Sequence, residues 1–336
     1  MHQLEQQFSE RQGDPFRQHL TTVVAVSGGS DSVALLRLTH AATALAASGC
    51  ELVVAHVNHR WRDDALHVAA FVSQLAHSLG LACDVEEVQT QGITSEETAR
   101  DQRYERLIQM AHRRGARYLI TGHTADDQAE TVLFHILRGT GLRGLAGIPA
   151  VRRLDESLTL KRPLLEWRRA QLRAYLTDIE QDFVDDESNR DLQFTRNRIR
   201  HELLPQLTQM FPSDPRDALR RLSGVAREAI DELQPTIEAC LDAALQPGST
   251  QDLNRVVLHC PTLMRHSALV VREALARLWQ RQRWPLGEMT YNRWVELASL
   301  ALSAQEATTT FPGGVRATRA GDTLQLARLP RDASTP

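Results

Sequence analysis

Lysine is almost missing from this chain: Lys161 is the only one, and every other fixed cation is an arginine. A bias this complete reads as composition, although the guanidinium fork does suit phosphate. Cysteine is scarce as well. Cys50, Cys83, Cys240 and Cys260 are scattered and form no CxxC pair, which argues against a zinc site, an iron–sulfur site and a disulfide framework. No stretch approaches ~18 uninterrupted apolar residues, so no membrane-spanning helix is expected. The opening run MHQLEQQFSERQGDPF lacks the apolar segment of a secretory signal. A cytoplasmic, reduced setting without a membrane partner is therefore expected. Excess charge is lacking too: 39 basic against 42 acidic residues leave a formal net charge of −3. That excludes an overall basic footprint but not a local basic face. No internal repeat or low-complexity tract stands out.

What is present is alternation. The 336 residues suggest two domains. TTVVAVS, ELVVAHVN, CDVEEVQ and RYLITGH read as buried strands, separated by helical patterns over residues 32–48, 62–79 and 95–114, with a further helix over 124–138. This order predicts an α/β fold with a doubly wound parallel sheet, whose ligand site lies at the carboxyl ends of the strands. A glycine-rich loop, GTGLRGLAGIP, follows, then short strands near Val151 and Leu158 and a helix over 168–179. FPSDP, residues 211–215, is the expected boundary, dividing the chain into domains 1–212 and 213–336. The second is expected to be smaller and mainly helical, with a β tail containing TTTFPGGVRATR as a hairpin.

Three segments at expected strand ends carry chemistry. Ser27-Gly28-Gly29-Ser30-Asp31-Ser32 joins a strand to a helix. Its glycines let backbone N–H groups approach an anion, and the helix N-terminus favours phosphate. Asp31 repels phosphate directly, so it suits a Mg²⁺ ion bridging carboxylate and phosphate. The loop is not a GxxxxGK[ST] motif; an ordinary capped turn is the plain alternative. Gly122 to Thr131, GHTADDQAET, sets Asp126, Asp127 and Glu130 on one helix face beside His123. They read either as an acidic pocket for a cation or, for Thr124 and Asp127, as a capping box. His56-Val57-Asn58-His59 ends a strand and is a candidate for an adenosine pocket. Arg100, Arg103 and Tyr104 share a long helix, and Arg196, Arg198, Arg200 and His201 form a dense basic cluster; both have a plain reading as solvated faces.

SGGSDS resembles the signature of the PP-loop (N-type) ATP pyrophosphatases, which adenylate a substrate oxygen and release pyrophosphate. The further run HVNH, ARDQRY, GHTADDQAET, LRGTGLRGLAGI, RPLL and DESNRDLQFTRNRIRHELLP is similar, over about residues 21–210, to the tRNA(Ile)-lysidine synthase family. Arg60-Trp61 departs from that pattern, and the chain resembles the short form, without a second C-terminal domain. The resemblance implies ATP and Mg²⁺ as cofactors, with Ser27, Gly28, Gly29, Ser30, Asp31, Ser32, His56, Asn58 and His123 at the nucleotide and Asp31 on the metal. It implies tRNA(Ile) with a CAU anticodon and free L-lysine as partners, and is compatible with a homodimer. Asp126, Asp127 and Glu130 would receive the lysine. Arg103 and one of Arg196 or Arg198 would stabilise charge, and the C-terminal arginines, among them Arg216, Arg272 and Arg277, would meet the tRNA backbone. A tRNA thiolation enzyme of the same fold is the alternative; the missing CxxC weighs against it.

Overall fold

A computed structural model describes residues 2–12, 19–46, 49–58, 65–88, 96–184, 192–193, 195–246 and 254–328. His59, Arg60-Trp61 and the acidic residues 185–187 lie outside them. The chain divides into two compact units: Met1–Phe134 with Gly147–Arg220, and His135–Ala146 with Arg221–Pro336.

Up to residue 244 the elements are α1 (Gln3–Gln12), β1 (Thr21–Ala25), α2 (Ser30–Ala46), β2 (Glu51–Asn58), α3 (Ala65–Ser78), β3 (Ala82–Glu87), α4 (Glu96–Arg113), β4 (Tyr118–Ile120) and α5 (Ala125–Leu137). Then come α6 (Leu142–Leu145), β5 (Val151–Arg153), β6 (Thr159–Lys161), α7 (Arg169–Asp178), α8 (Thr195–Arg198), a π turn (Ile199–Leu203), α9 (Leu204–Met210) and α10 (Pro215–Ala244). The first unit is built on a six-stranded sheet in the order β3-β2-β1-β4-β6-β5. It is parallel except for β5, which pairs antiparallel with β6 at the edge.

Period-two alternation explains why both faces are covered. In β1, Val24 joins a core with Phe8, Leu35, Val72 and Leu172, on α1, α2, α3 and α7. Its neighbour Val23 points the other way, to Leu107 and Met110 of α4. Both valines are fully buried. A strand buried on two faces needs a continuous apolar run, which TTVVA supplies. The short strands expected near Val151 and Leu158 extend this same sheet rather than standing apart.

The second unit adds β7 (Arg255–His259), α11 (Cys260–Leu263), α12 (Ala268–Arg281), α13 (Tyr291–Leu302), β8 (Ala307–Phe311), β9 (Val315–Ala320) and β10 (Thr323–Arg328). The expected hairpin is β8–β9, turning through Gly313 and Gly314 at positive φ. These strands form an antiparallel sheet, β7-β10-β9-β8, that the sequence suggested only as a tail. Its core centres on Trp279, fully buried, with Trp284 and Trp294 edge-on at 5.0 and 5.5 Å. The Trp279 indole N–H donates to the Pro285 carbonyl at 2.9 Å, so this large ring is buried without an orphaned donor. Among the described residues, no helix is long and apolar enough to cross a membrane.

Candidate active site

β1 ends at Ala25, and the chain turns through Ser27–Gly29 into α2, the strand–turn–helix that SGGSDS implies. Gly28 has φ +92°, and a Cβ there would lie 2.8 Å from Val68 Cγ1, so glycine is required twice over. Gly29 has no atom nearer than 3.8 Å to its missing Cβ, which leaves its backbone approachable. Ser32 Oγ donates to the Gly29 carbonyl at 2.9 Å and accepts from the Ser27 N–H at 3.1 Å, bracing the loop. Ser27 Oγ lies 3.2 Å from Ser32 Oγ, and Ser30 Oγ donates to Asp31 Oδ1 at 3.3 Å.

The chain after β4 approaches α2 closely. A Cβ on Gly122 would stand 3.0 Å from the Asp31 carbonyl oxygen, so this glycine lets GHTADDQAET lie against the phosphate loop. There Asp127 does two jobs. Its Oδ2 accepts from the Thr124 N–H and hydroxyl, both at 2.8 Å, while the Asp127 N–H donates to Thr124 Oγ1 at 3.3 Å. The capping reading is therefore right for Oδ2. Oδ1 faces away from the cap and takes two guanidiniums, Arg169 at 2.9 Å and Arg200 at 3.1 Å.

Those arginines organise the rest. Arg169 Nε donates to Asp31 Oδ2 at 2.9 Å, so one side chain joins the phosphate loop to the acidic segment. Its backbone N–H donates to Asp126 Oδ2 at 2.8 Å. Arg200 grips Glu130 with Nε at 2.7 Å and Nη2 at 2.8 Å, and Arg216 reaches Asp126 at 3.5 Å. Four carboxyl groups thus meet three guanidiniums, and the pocket expected to be acidic is largely neutralised from within.

Burial and charge split the carboxyl pKa values. Desolvation pushes Asp31 and Glu130 above the usual carboxylate range, against the pull of Arg169 and Arg200. Asp127 is also desolvated, but the charges of Arg169 and Arg200 outweigh this and hold it low. Arg169 is opposed by burial, yet Asp127 and Asp31 raise it above its ordinary value. His123 is pushed far down by burial, against the attraction of Asp127, with Arg162, Arg100 and Arg103 adding to the depression. It is a neutral imidazole, its Nδ1 3.0 Å from Thr121 Oγ1. Arg103 is thus near the His123 side of the site. His56 and Asn58 are buried braces: His56 Nδ1 bonds the Val26 carbonyl at 2.8 Å, just before the loop, and Asn58 Nδ2 donates to Ala65 at 3.3 Å.

Of the basic cluster after residue 195, Arg200 is the member at the carboxylates. Arg198 pairs with Glu202 at 3.3 Å on an exposed face, and Arg196 is half-buried. Density of charge did not reveal which arginine turns inward; Arg200 sits in a π turn, a local irregularity common at functional sites. Arg169 was not singled out at all. A signal existed: Arg168 and Arg169 begin α7, where cations oppose the helix dipole. Such residues need carboxylates, and Arg168 pairs with Asp214 and Asp217 while Arg169 has Asp31 and Asp127. Arg216 and Arg277, expected on tRNA, are engaged with Asp126 and Asp214 and with Glu238.

Among the described residues no group of three or more His, Cys, Asp or Glu side chains is placed to hold a metal ion. A Mg²⁺ bound largely by substrate phosphates needs only one or two carboxylates. Asp31 fits: among the described residues, Oδ2 is held by Arg169, whereas Oδ1 has only the long contact from Ser30.

Comparison with known proteins adds the following. A PP-loop domain family model matches residues 1–207. A tRNA(Ile)-lysidine synthase from Nostoc sp. is 32% identical over 311 residues, covering 90% of each chain. One from Rhodopirellula baltica is 33% identical, over 84% of this chain and 79% of that one. Among solved structures, a U34-tRNA thiolase from Methanococcus maripaludis carrying a [4Fe-4S] cluster superposes with a TM-score of 0.55, covering 67% of this chain and 79% of that one; at 13% identity, it shares the fold.

Proposed function

The chain belongs to the tRNA(Ile)-lysidine synthase family of PP-loop enzymes, and from that premise we propose how its residues make lysidine. It is an ATP-dependent ligase that modifies tRNA(Ile). In the proposed course, oxygen 2 of the wobble cytidine of a CAU anticodon attacks the α-phosphorus of ATP, and pyrophosphate leaves. The ε-amine of free L-lysine then attacks carbon 2, and the carbon–oxygen bond to AMP breaks. The cytidine must leave its stack to reach the site.

The observation that carries this reading is Arg169, whose guanidinium touches Asp31 of the phosphate loop and Asp127 of the acidic segment at 2.9 Å each. Nucleotide chemistry and cation binding then fall in one site. Ser27–Ser32 hold the phosphates. Asp31 would hold Mg²⁺, which would supply charge neutralisation at the phosphates. Lysine at pKa ~10.4 arrives as an ammonium and must lose a proton before it can attack. Asp126 and the depressed Asp127 suit attraction. Glu130, with its raised pKa, suits proton acceptance, and the lysine ammonium is the cation able to replace Arg200 on it. Arg103 stabilises charge on the departing AMP, with Arg200 in the place first given to Arg196 or Arg198. The second unit contributes tRNA contact, and a cytoplasmic location and a homodimer complete the reading.

The thiolation alternative finds no support in the cysteines: Cys240 and Cys260 are buried in the core of the second unit, and Cys50 and Cys83 lie at the amino ends of β2 and β3, the edge opposite the site. Glu130→Gln is the test of the proton assignment. Pyrophosphate release with tRNA should persist, and lysine transfer should fall about 100-fold, the low end for losing a general base. Transfer at the wild-type rate would remove Glu130 from that role.

A further inference from the structure

The glycine-rich segment LRGTGLRG takes no part in the chemistry above. It lies wholly in the second unit and lines a cavity of about 250 Å³ within that unit. The cavity walls include Arg138, Gly141, Arg143, Arg272, Tyr291 and Trp294, and Glu273 is the one acid among the described lining residues. Arg143 Nε holds Glu273 at 2.6 Å, and Arg272 lies 3.8 Å from the same carboxylate. Arg143 and Arg272 share the one Glu273 carboxylate, which leaves this wall cationic. Among the described residues, Arg143 Nη2 is buried and has no hydrogen-bond partner, a donor that a bound anion would satisfy.

The other chemistry is aromatic. Arg272 sits 5.0 Å over the Tyr291 ring and its Nη1 is 3.4 Å from the Tyr291 hydroxyl. Tyr291 keeps 39% of its surface exposed. Gly141 adjoins the ring: a Cβ there would lie 3.6 Å from it, in ordinary contact. The volume lies just under the ~300 Å³ lower end of small-ligand pockets, room for a flat base but not for a duplex. Cations beside an aromatic face match a phosphate attached to a flat base.

We propose that this cavity holds one unstacked nucleotide of the tRNA substrate, its base against Tyr291 and its phosphate on the arginine wall. The proposal rests on the tRNA(Ile) reading above and adds a site remote in sequence from the phosphate loop. Tyr291→Ala, Tyr291→Phe and wild type are compared in the full chain. The readouts are the tRNA(Ile) concentration giving half-maximal pyrophosphate release, the rate at saturation, and AMP binding stoichiometry by equilibrium dialysis. Tyr291→Ala should raise the half-saturating tRNA concentration about tenfold, as expected for losing one stacked base. The saturated rate should hold, and Tyr291→Phe, which keeps the ring, should stay near wild type. An unchanged half-saturation in Tyr291→Ala overturns the nucleotide site alone. Loss of one AMP equivalent with tRNA dependence unchanged assigns the cavity to a free nucleotide and also overturns it. Wild-type protein that releases no pyrophosphate with this tRNA overturns both the site and the reading beneath it.

Discussion

Arg200→Met is the substitution that asks most of the charge cluster. Methionine keeps an unbranched aliphatic stem and removes the fork that holds both oxygens of Glu130 and one of Asp127. The Glu130 side chain is 5% exposed, so water cannot replace the lost donors. Removing one partner of a buried pair costs ~3–5 kcal/mol. Arg200 itself is 23% exposed, which places the cost near the low end, about 3 kcal/mol. For a unit of this size that lowers Tm by roughly 6–12 °C. Burial already lifts the Glu130 pKa, and losing Arg200 lifts it further. The folded variant then keeps a proton that the unfolded chain releases above its own pKa of ~4.3, so stability falls as pH rises through and beyond that value. Melting curves at pH 5 and pH 8 should show the larger deficit at pH 8, and the double variant Arg200→Met, Glu130→Gln should recover most of it. A single variant that melts within about 2 °C of wild type, or loses equally at both pH values, would refute the buried-pair argument.

Three further outcomes are expected. Gly28→Ala forces a β-carbon into a left-handed backbone and against Val68, so it should cost about 1–3 kcal/mol and weaken ATP binding; thermal melts and the KM for ATP measure both. Thr124→Val removes the hydroxyl from the capping box and should destabilise by about 1 kcal/mol, read from denaturant midpoints. His123, neutral because it is buried among Arg162, Arg100 and Arg103, should show no NMR titration between about pH 5 and 8, and a titrating signal would contradict the described burial.

What the sequence revealed was local. SGGSDS and GHTADDQAET are contiguous, and each sits where a strand hands over to a helix, so spacing alone placed their residues. The partners of Arg169 were not legible, for the opposite reason: Asp31 and Asp127 lie 138 and 42 residues away, and only the fold brings them together. The choice among Arg196, Arg198 and Arg200 depended on helical phase, which the π turn at Ile199–Leu203 alters. β7 was missed because RVVLH is short and lies between helical patterns, and its partner β10 begins some sixty residues later. The acidic pocket was legible as residues but not as a charge state, since its arginines come from α7, from the π turn at residue 200 and from the start of α10.

The most direct test combines purified protein, ATP, Mg²⁺, radiolabelled L-lysine and a tRNA(Ile) transcript with a CAU anticodon. Label should enter the tRNA in dependence on ATP and on the wobble cytidine, with AMP and pyrophosphate released in equal amounts. Pyrophosphate release with tRNA but no lysine incorporated would contradict it, keeping the adenylating site and discarding lysine as the nucleophile.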